Sequence, residues 1–342
     1  MRNISSYQKV YTWLVVALVI TTLLSIKFGA IDILLIDIFS TFKKIMDGND
    51  ATLTERIFLE IRLPRALACV FVGASLSVSG VLMQGLFRNP IVEPGLIGTS
   101  SGAAFGASLY FTFGATFSFH AGQWTLPLAA CMGGTFSTFL VFYLSRSAGG
   151  GNRSVTSLLL VGIAINALCL SGVGLMSYLA RDPQARSITF WNLGTLSGSN
   201  WQSVITIASS FLLCIFVALA QAKKLNALMM GEEEAHYLGV DNKRLQLVVV
   251  GLNILLVGIA TSFVGVISFV GLVVPHVLRL MCGSDNRYLL IGSALLGGIV
   301  LTLADLAARL LLAPAELPIG IVTSVIGVPV FIYLLRRNQY HF

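Results

Sequence analysis

Apolar residues fill most of this chain in long blocks, and polar residues mark where the blocks end. Apolar segments run near 11–28, 66–87, 95–113, 124–144, 155–179, 202–221, 245–263, 265–281, 289–312 and 319–335. A helix rises about 1.5 Å per residue, so about 20 apolar residues cross a hydrocarbon core about 30 Å thick. The pattern predicts an all-α polytopic membrane protein, a single domain over residues 1–342 with ten crossing helices. The segments on either side of residue 264 run together with almost no loop.

The polar punctuation is uneven. The longest stretch on the side that holds both termini is AKKLNALMMGEEEAHYLGVDNKRL, residues 222–245. It is too polar to lie in lipid. Within it Gly231–Glu232–Glu233–Glu234–Ala235, continuing through Leu238 and Gly239, reads as a short helix. Three glutamates favour the positive end of its dipole, and Gly239 suits a cap at the other end. Such a segment is either an ordinary solvated connector or a lever through which a partner's motion enters. A second interruption, RNPIVEPGLIGTSSGAAFGA over 88–107, sets a proline-broken charged turn against Gly98, Gly102 and Gly106. Residues four apart share a helix face, and glycine there lets another backbone approach closely.

Composition narrows the class. The chain is 56% hydrophobic and 11% charged, with mean hydropathy +0.86, too little charge to cover a soluble protein of this length. Its net charge of +7 could suggest nucleic acid in a soluble protein. Here the surplus gathers in short loops on the side of the termini, including Arg146, Arg153, Lys223, Lys224, Lys243, Arg244, Arg279, Arg287, Arg336 and Arg337. By the positive-inside rule that side is cytoplasmic. No nucleic-acid partner is called for. The apolar run after MRNISSYQKV lacks an Ala-x-Ala exit and is taken as the first crossing helix rather than a leader.

Candidate chemistry is sparse. Cys69, Cys131, Cys169, Cys214 and Cys282 lie in or at the ends of apolar runs, with no Cys-x-x-Cys spacing and no metal-ligand pattern, so no metal is expected. No Gly-Lys dipeptide occurs, which rules out a P-loop, and His120, His236, His276 and His341 are scattered. The chain is therefore read as no enzyme and as holding no cofactor of its own. Ion-coupled carriers carry ionisable groups at mid-membrane. Here the crossing segments hold essentially none at mid-depth; Asp305 and Arg309, towards the outer end of the ninth, are spaced to satisfy one another, with Glu316 in the loop beyond. A transporter without its own energy source needs a partner that supplies it.

Several stretches are similar to one family. RLPR at 62–65, SGVLMQGLFRNP at 79–90, EPGLIGTSSGAAFGA at 93–107, FVGLVVPHVLRL at 269–280, Ala304-Asp305, ELPIG at 316–320 and GVPVF at 327–331 resemble the permease subunits of bacterial iron-siderophore, haem and vitamin B12 importers. These are type II ATP-binding-cassette (ABC) importers of the FecCD kind. GEEEAHYLGV resembles the family's segment between its sixth and seventh helices. The departures are small: Ile91-Val92 stand where Leu-Ala is usual, Asn286 where His is common, and Ile291 where Pro is frequent.

The resemblance implies a homodimer with its path along the dimer axis, in the bacterial inner membrane. Two copies of a cytoplasmic ATPase, which bind ATP and Mg, would sit below, and a periplasmic binding protein would dock outside. It implies that Arg62, Arg65 and Arg309 face acidic residues of that binding protein, where guanidinium groups pair well with carboxylates. The competing reading anchors the arginines to lipid headgroups. It further implies a cytoplasmic gate with two lips, Asn89–Pro90–Ile91 and Ser154–Val155–Thr156–Ser157, the second after a candidate hinge at Gly149–Gly151. Residues 222–245 become the loop that couples to the ATPase. Asn166, Ser171, Met176 and Ser177 would line the path. The expected cargo is a ferric siderophore or haem, with haem favoured by the PGLIGTSSGAAFGA and FWNLGTLSG strings. Vitamin B12 import is the alternative, and an ion-coupled secondary transporter or a non-transporting scaffold are rivals of other classes.

Overall fold

The computed structural model describes residues 4–29, 52–117, 122–145 and 155–337, and they are almost entirely helical. We number the helices α1 (Ile4–Lys27), α2 (Leu53–Phe87), α3 (Thr99–Phe117), α4 (Thr125–Leu144), α5 (Val155–Leu179) and α6 (Asp182–Asn192). They continue as α7 (Trp201–Leu228), α8 (Glu232–Tyr237), α9 (Asn242–Val264), α10 (Val270–Cys282), α11 (Asn286–Leu310) and α12 (Ile319–Arg337). Each of the ten apolar segments coincides with one helix, and α6 and α8 are additional. Among the described residues, seven helices are long and apolar enough to cross a membrane, and α10 and residues 319–334 of α12 form shorter apolar helices.

Helix α2 is the axis of the packing. It is buried along nearly its whole length and lies against α11, α7 and α10. Contact with α11 is backbone to backbone: any Cβ at Gly73 would collide with the carbonyl of Gly297. Lipid gives no hydrophobic gain for helix association, so close approach and dispersion must hold such pairs. The Gly102 and Gly106 face does the same for α3, seating it on Gly133 and Ala129 of α4. Helix α1 joins through rings, Tyr7 stacking on Tyr288 at 4.0 Å while its hydroxyl donates to the Cys282 carbonyl at 2.9 Å.

Two helices carry wider, π-type turns. In α2 the turn is Phe58–Arg62, just before Pro64. Proline has no N–H, so the Leu59 carbonyl loses the donor that the π register would bring to it. The Trp201 indole N–H donates to that carbonyl instead, at 3.0 Å. In α9 the turn is Ile254–Gly258, where Ser210 donates to the Leu255 carbonyl at 3.3 Å. Asn253, fully buried at its start, accepts from Ser79 of α2 at 2.5 Å and donates to Thr99 of α3 at 2.9 Å. Thr99 pairs in turn with Thr138 of α4 at 2.8 Å, so one polar chain ties four helices together.

The junction near residue 264 differs from the near-continuous pair of helices expected. The chain leaves helix at Gly265 (φ +75) and re-enters it after Phe269 (φ +69), with residues 265–268 outside any helix. Residues 94–97 likewise form a separate single turn of 3-10 helix, and α3 begins only at Thr99.

Candidate functional site

Three polar clusters interrupt the apolar bundle. The first lies where α2, α11 and the end of α1 meet. Arg65 donates from Nε and Nη2 to Asp305 Oδ1 at 3.1 and 2.9 Å, and from Nη1 to Glu316 Oε1 at 2.9 Å. Arg309 Nε lies 3.0 Å from Asp305 Oδ2, one helical turn away on α11, and its other nitrogens donate to the Phe28 and Ser25 carbonyls and the Ser25 hydroxyl. Arg62 donates to the Phe28 and Ile26 carbonyls at 2.6 and 3.4 Å. All three arginines are buried, at 7, 8 and 8% exposure for Arg62, Arg65 and Arg309. The structure gathers the three arginines and turns their guanidinium groups into the chain rather than outward. Among the described residues of the cluster, Glu316, 40% exposed at its side chain, opens it outward.

The second cluster surrounds α8. Glu232, Glu233 and Glu234 occupy its first turn, and Gly231, at φ +150, leaves room for the Glu234 side chain to fold back over the helix start. Ala235 is fully buried, whereas Tyr237 is 84% exposed and Leu238 and Met230 are open beside it. Gly239, at φ +80, follows the C-cap residue Leu238 and sends the chain into α9. Arg88, the left-handed cap of α2 (φ 51), reaches Glu232 at 3.3 Å. The turn after Arg88 holds Asn89, whose side chain accepts from the Ile91 N–H at 3.0 Å, then buried Pro90 and exposed Ile91. This turn therefore touches α8 directly, a contact that sequence spacing gave no means to find.

Nearby, Asp285 caps α11 and accepts from Asn226 and Arg287. Burial raises its carboxyl, but these hydrogen bonds outweigh burial and hold it below the ordinary carboxylate value. Of the second expected lip, Ser154 and Gly149–Gly151 lie outside the described residues, as does the side chain of Val155. Thr156 is exposed, and Ser157 donates to the Ser145 carbonyl at 3.2 Å.

The third cluster lines a cavity of about 600 Å³ between the 93–101 segment, α5, α6 and the break at 266–268. Asn166 and Ser177 face it, together with Glu93, Ser100, Asn192 and Ser268. Asn166 donates to the Leu96 carbonyl at 2.9 Å and also receives the Ser101 hydroxyl. Ser171 lies instead on a larger apolar groove between α3, α4 and α5, and Met176 is buried. Sequence reasoning missed Glu93 as a cavity residue because it reads as part of a solvated turn. It also missed α6, although Asp182-Pro183 is a recognisable helix start. Among the described residues no three His, Cys, Asp or Glu side chains gather as a metal site.

This arrangement has clear counterparts. The model of the FecCD transport family matches residues 17–337. The chain belongs to the FecCD transport family. The hemin transport system permease protein HmuU of Yersinia pestis is 41% identical over 327 residues, 96% of this chain and 95% of that protein. The vitamin B12 import system permease protein BtuC of Pectobacterium atrosepticum is 40% identical over 280 residues, 82% of each chain. The Fe(3+) dicitrate transport system permease protein FecC of Escherichia coli is 38% identical over 299 residues, 86% of this chain and 88% of that one. A solved metal-chelate type ABC transporter in an inward-facing conformation superposes with a TM-score of 0.85 at 32% identity, covering 97% of this chain and all of that one. The chain is accordingly a multi-span membrane permease of an ABC importer, and the family leaves ATP hydrolysis to a separate subunit.

Proposed function

We propose that this permease moves an iron complex, haem in the first place, from the periplasm to the cytoplasm across a bacterial inner membrane. The observation that carries this reading is the 41% identity to the hemin permease over 96% of the chain, longer and slightly higher than the matches to the B12 and ferric dicitrate permeases. The likeness to a metal-chelate transporter supports it. Two copies pair, each working with an ATPase subunit below and sharing one periplasmic binding protein above, with all termini in the cytoplasm. Exposed apolar faces on α5 (Leu160, Ile163, Leu168) and α12 (Val325, Ile326, Ile332) supply surface for such pairing. The neutral side chains Asn166 and Ser177 suit a path that passes a bulky complex without trapping it.

In this reading α8 receives the ATPase through Tyr237 and Leu238, and Asn89–Ile91 form one lip of the gate. Ser154–Ser157 form the other. The arginine cluster serves docking by exchange: an acidic residue of the binding protein displaces exposed Glu316 from Arg65, while Asp305 keeps its hold. The test is uptake by proteoliposomes that contain the permease, its ATPase and its binding protein. ATP-dependent uptake of haemin in preference to ferric dicitrate and cyanocobalamin is expected. Preference for cyanocobalamin establishes the B12 reading, and uptake on an ion gradient without the ATPase overturns both.

A further inference from the structure

We infer that Glu93 is a positioning residue for transport, fastening the gate loop after α2 to the start of α10 so that the two move as one piece. Glu93 is part-buried at the rim of the 600 Å³ cavity, and a carboxyl drawn partly out of water needs a partner. Glu93 Oε1 accepts the backbone N–H of Phe269 at 3.1 Å. That N–H stands at the N-terminus of α10, where helix geometry leaves donors without intrahelical acceptors and the dipole favours an acceptor. Phe269 itself sits at φ +69, a region that side chains other than glycine avoid, so its conformation needs support from outside the helix. The neighbour of Glu93 adds a second fastening: Pro94 lies so close to Gly271 of α10 that a Cβ there would meet its Cγ at 2.8 Å.

Contacts continue in both directions. Phe269 presses on α12, where a Cβ at Gly327 would lie 2.6 Å from the Phe269 Cβ. In the other direction the loop is held to α8 by Arg88 and Glu232 and to α5 by the Leu96 carbonyl and Asn166. A displacement of α8 therefore has a route through the exposed Arg88–Glu232 pair and residues 88–94 to α10 and α12, and Glu93 supplies a hydrogen bond to α10 along it. The rest of its side chain borders the 600 Å³ cavity. The inference rests on reading the chain as an ATP-driven permease, since the motion it transmits enters at α8.

The test compares Glu93→Ala and Glu93→Gln in the permease assembled with its ATPase, using hydrogen–deuterium exchange across 88–98 and 265–272 and uptake of labelled haemin per ATP hydrolysed. Loss of the acceptor in Glu93→Ala should raise exchange at 265–272 about tenfold and lower uptake per ATP by a similar factor. Glu93→Gln, whose amide oxygen still accepts, should stay within about threefold of the unsubstituted complex. Unchanged exchange in the alanine variant, or equal impairment in both variants, overturns the inference. Should Glu93→Ala not assemble, Glu93→Asp takes its place: its carboxyl is one methylene short, so raised exchange at 265–272 supports the inference and unchanged exchange overturns it. Absence of ATP-driven uptake of haemin, ferric dicitrate or cyanocobalamin by the unsubstituted complex overturns the permease reading instead, and the exchange measurement, which needs no cargo, still judges Glu93.

Discussion

The two polar ends of this bundle are built on opposite principles. Around Arg65, Asp305 and Arg309 the charges are buried, shared between helices and held by several hydrogen bonds. Around α8 one ion pair, Arg88–Glu232, joins side chains that are 39 and 44% exposed, and apolar Tyr237 and Leu238 stand open. Buried pairs are costly to break because each partner leaves an uncompensated charge, whereas exposed pairs contribute little and exchange readily. One end is held together by buried charge; the other leaves apolar side chains open around a single exposed ion pair.

The sharpest way to break this contrast is Asp305→Ala, which takes their shared carboxylate from two buried guanidinium groups. It should cost about 3–5 kcal/mol, seen as a large fall in the unfolding midpoint of detergent-solubilised protein. A loss no larger than that of Arg88→Ala would erase the difference between the ends. Next in size, Ala235→Pro removes the hydrogen bond from the Ala235 N–H to the Gly231 carbonyl, 3.1 Å, at a local cost of about 3 kcal/mol. Uptake should fall more than tenfold while the ATPase still copurifies. Wild-type uptake in that variant would reject α8 as a lever.

Glu316→Ala sharpens the comparison from within the buried end, because Arg65 keeps Asp305. Stability should fall by about 1 kcal/mol or less, whereas capture of the binding protein should change measurably in a pull-down. Unaltered capture counts against docking by exchange. Arg88→Ala should cost less than about 1 kcal/mol, and the loss should shrink further as salt is raised.

The smallest effect concerns pH. The Asp285 carboxyl is held below its ordinary value in the folded chain, so its contribution is complete above that value and disappears as pH falls through the lower, folded one. Asp285→Asn should lower stability slightly at neutral pH, where the ionised carboxylate contributes, and leave the acid end nearly unaffected, so that the acid limb flattens. An identical acid limb in both proteins would remove Asp285 from the account.

Much of this was legible in the residues. Each apolar block coincides with a helix because its length and hydropathy answer to a bilayer, whatever the neighbours do. Gly102 and Gly106 announced a close helix contact, and Gly239 the end of α8. Asp305 and Arg309 could be paired in advance because their spacing brings them onto one face. Arg65 could not be given its partners: Asp305 and Glu316 lie 240 and 251 positions away. Its neighbourhood looked outward in sequence and is inward in space. Glu93 read as part of a solvated turn because nothing local shows that residues 94–97 fold back beside α10. α6 was overlooked because a short polar helix leaves no hydropathy signal.

What the sequence determined by itself is the material: a helical bundle for lipid, no nucleotide site of the P-loop kind, and motifs that place it in its family. Those properties follow from local composition and spacing, which survive any arrangement of the helices. Only the tertiary structure decided which charges are buried, which carbonyls beside Pro64 and in α9 find donors, and that the loop after α2 touches both α8 and α10. These depend on backbones meeting across hundreds of residues of chain. Hydrogen bonds act over about 3 Å, so they are settled by packing rather than by pattern.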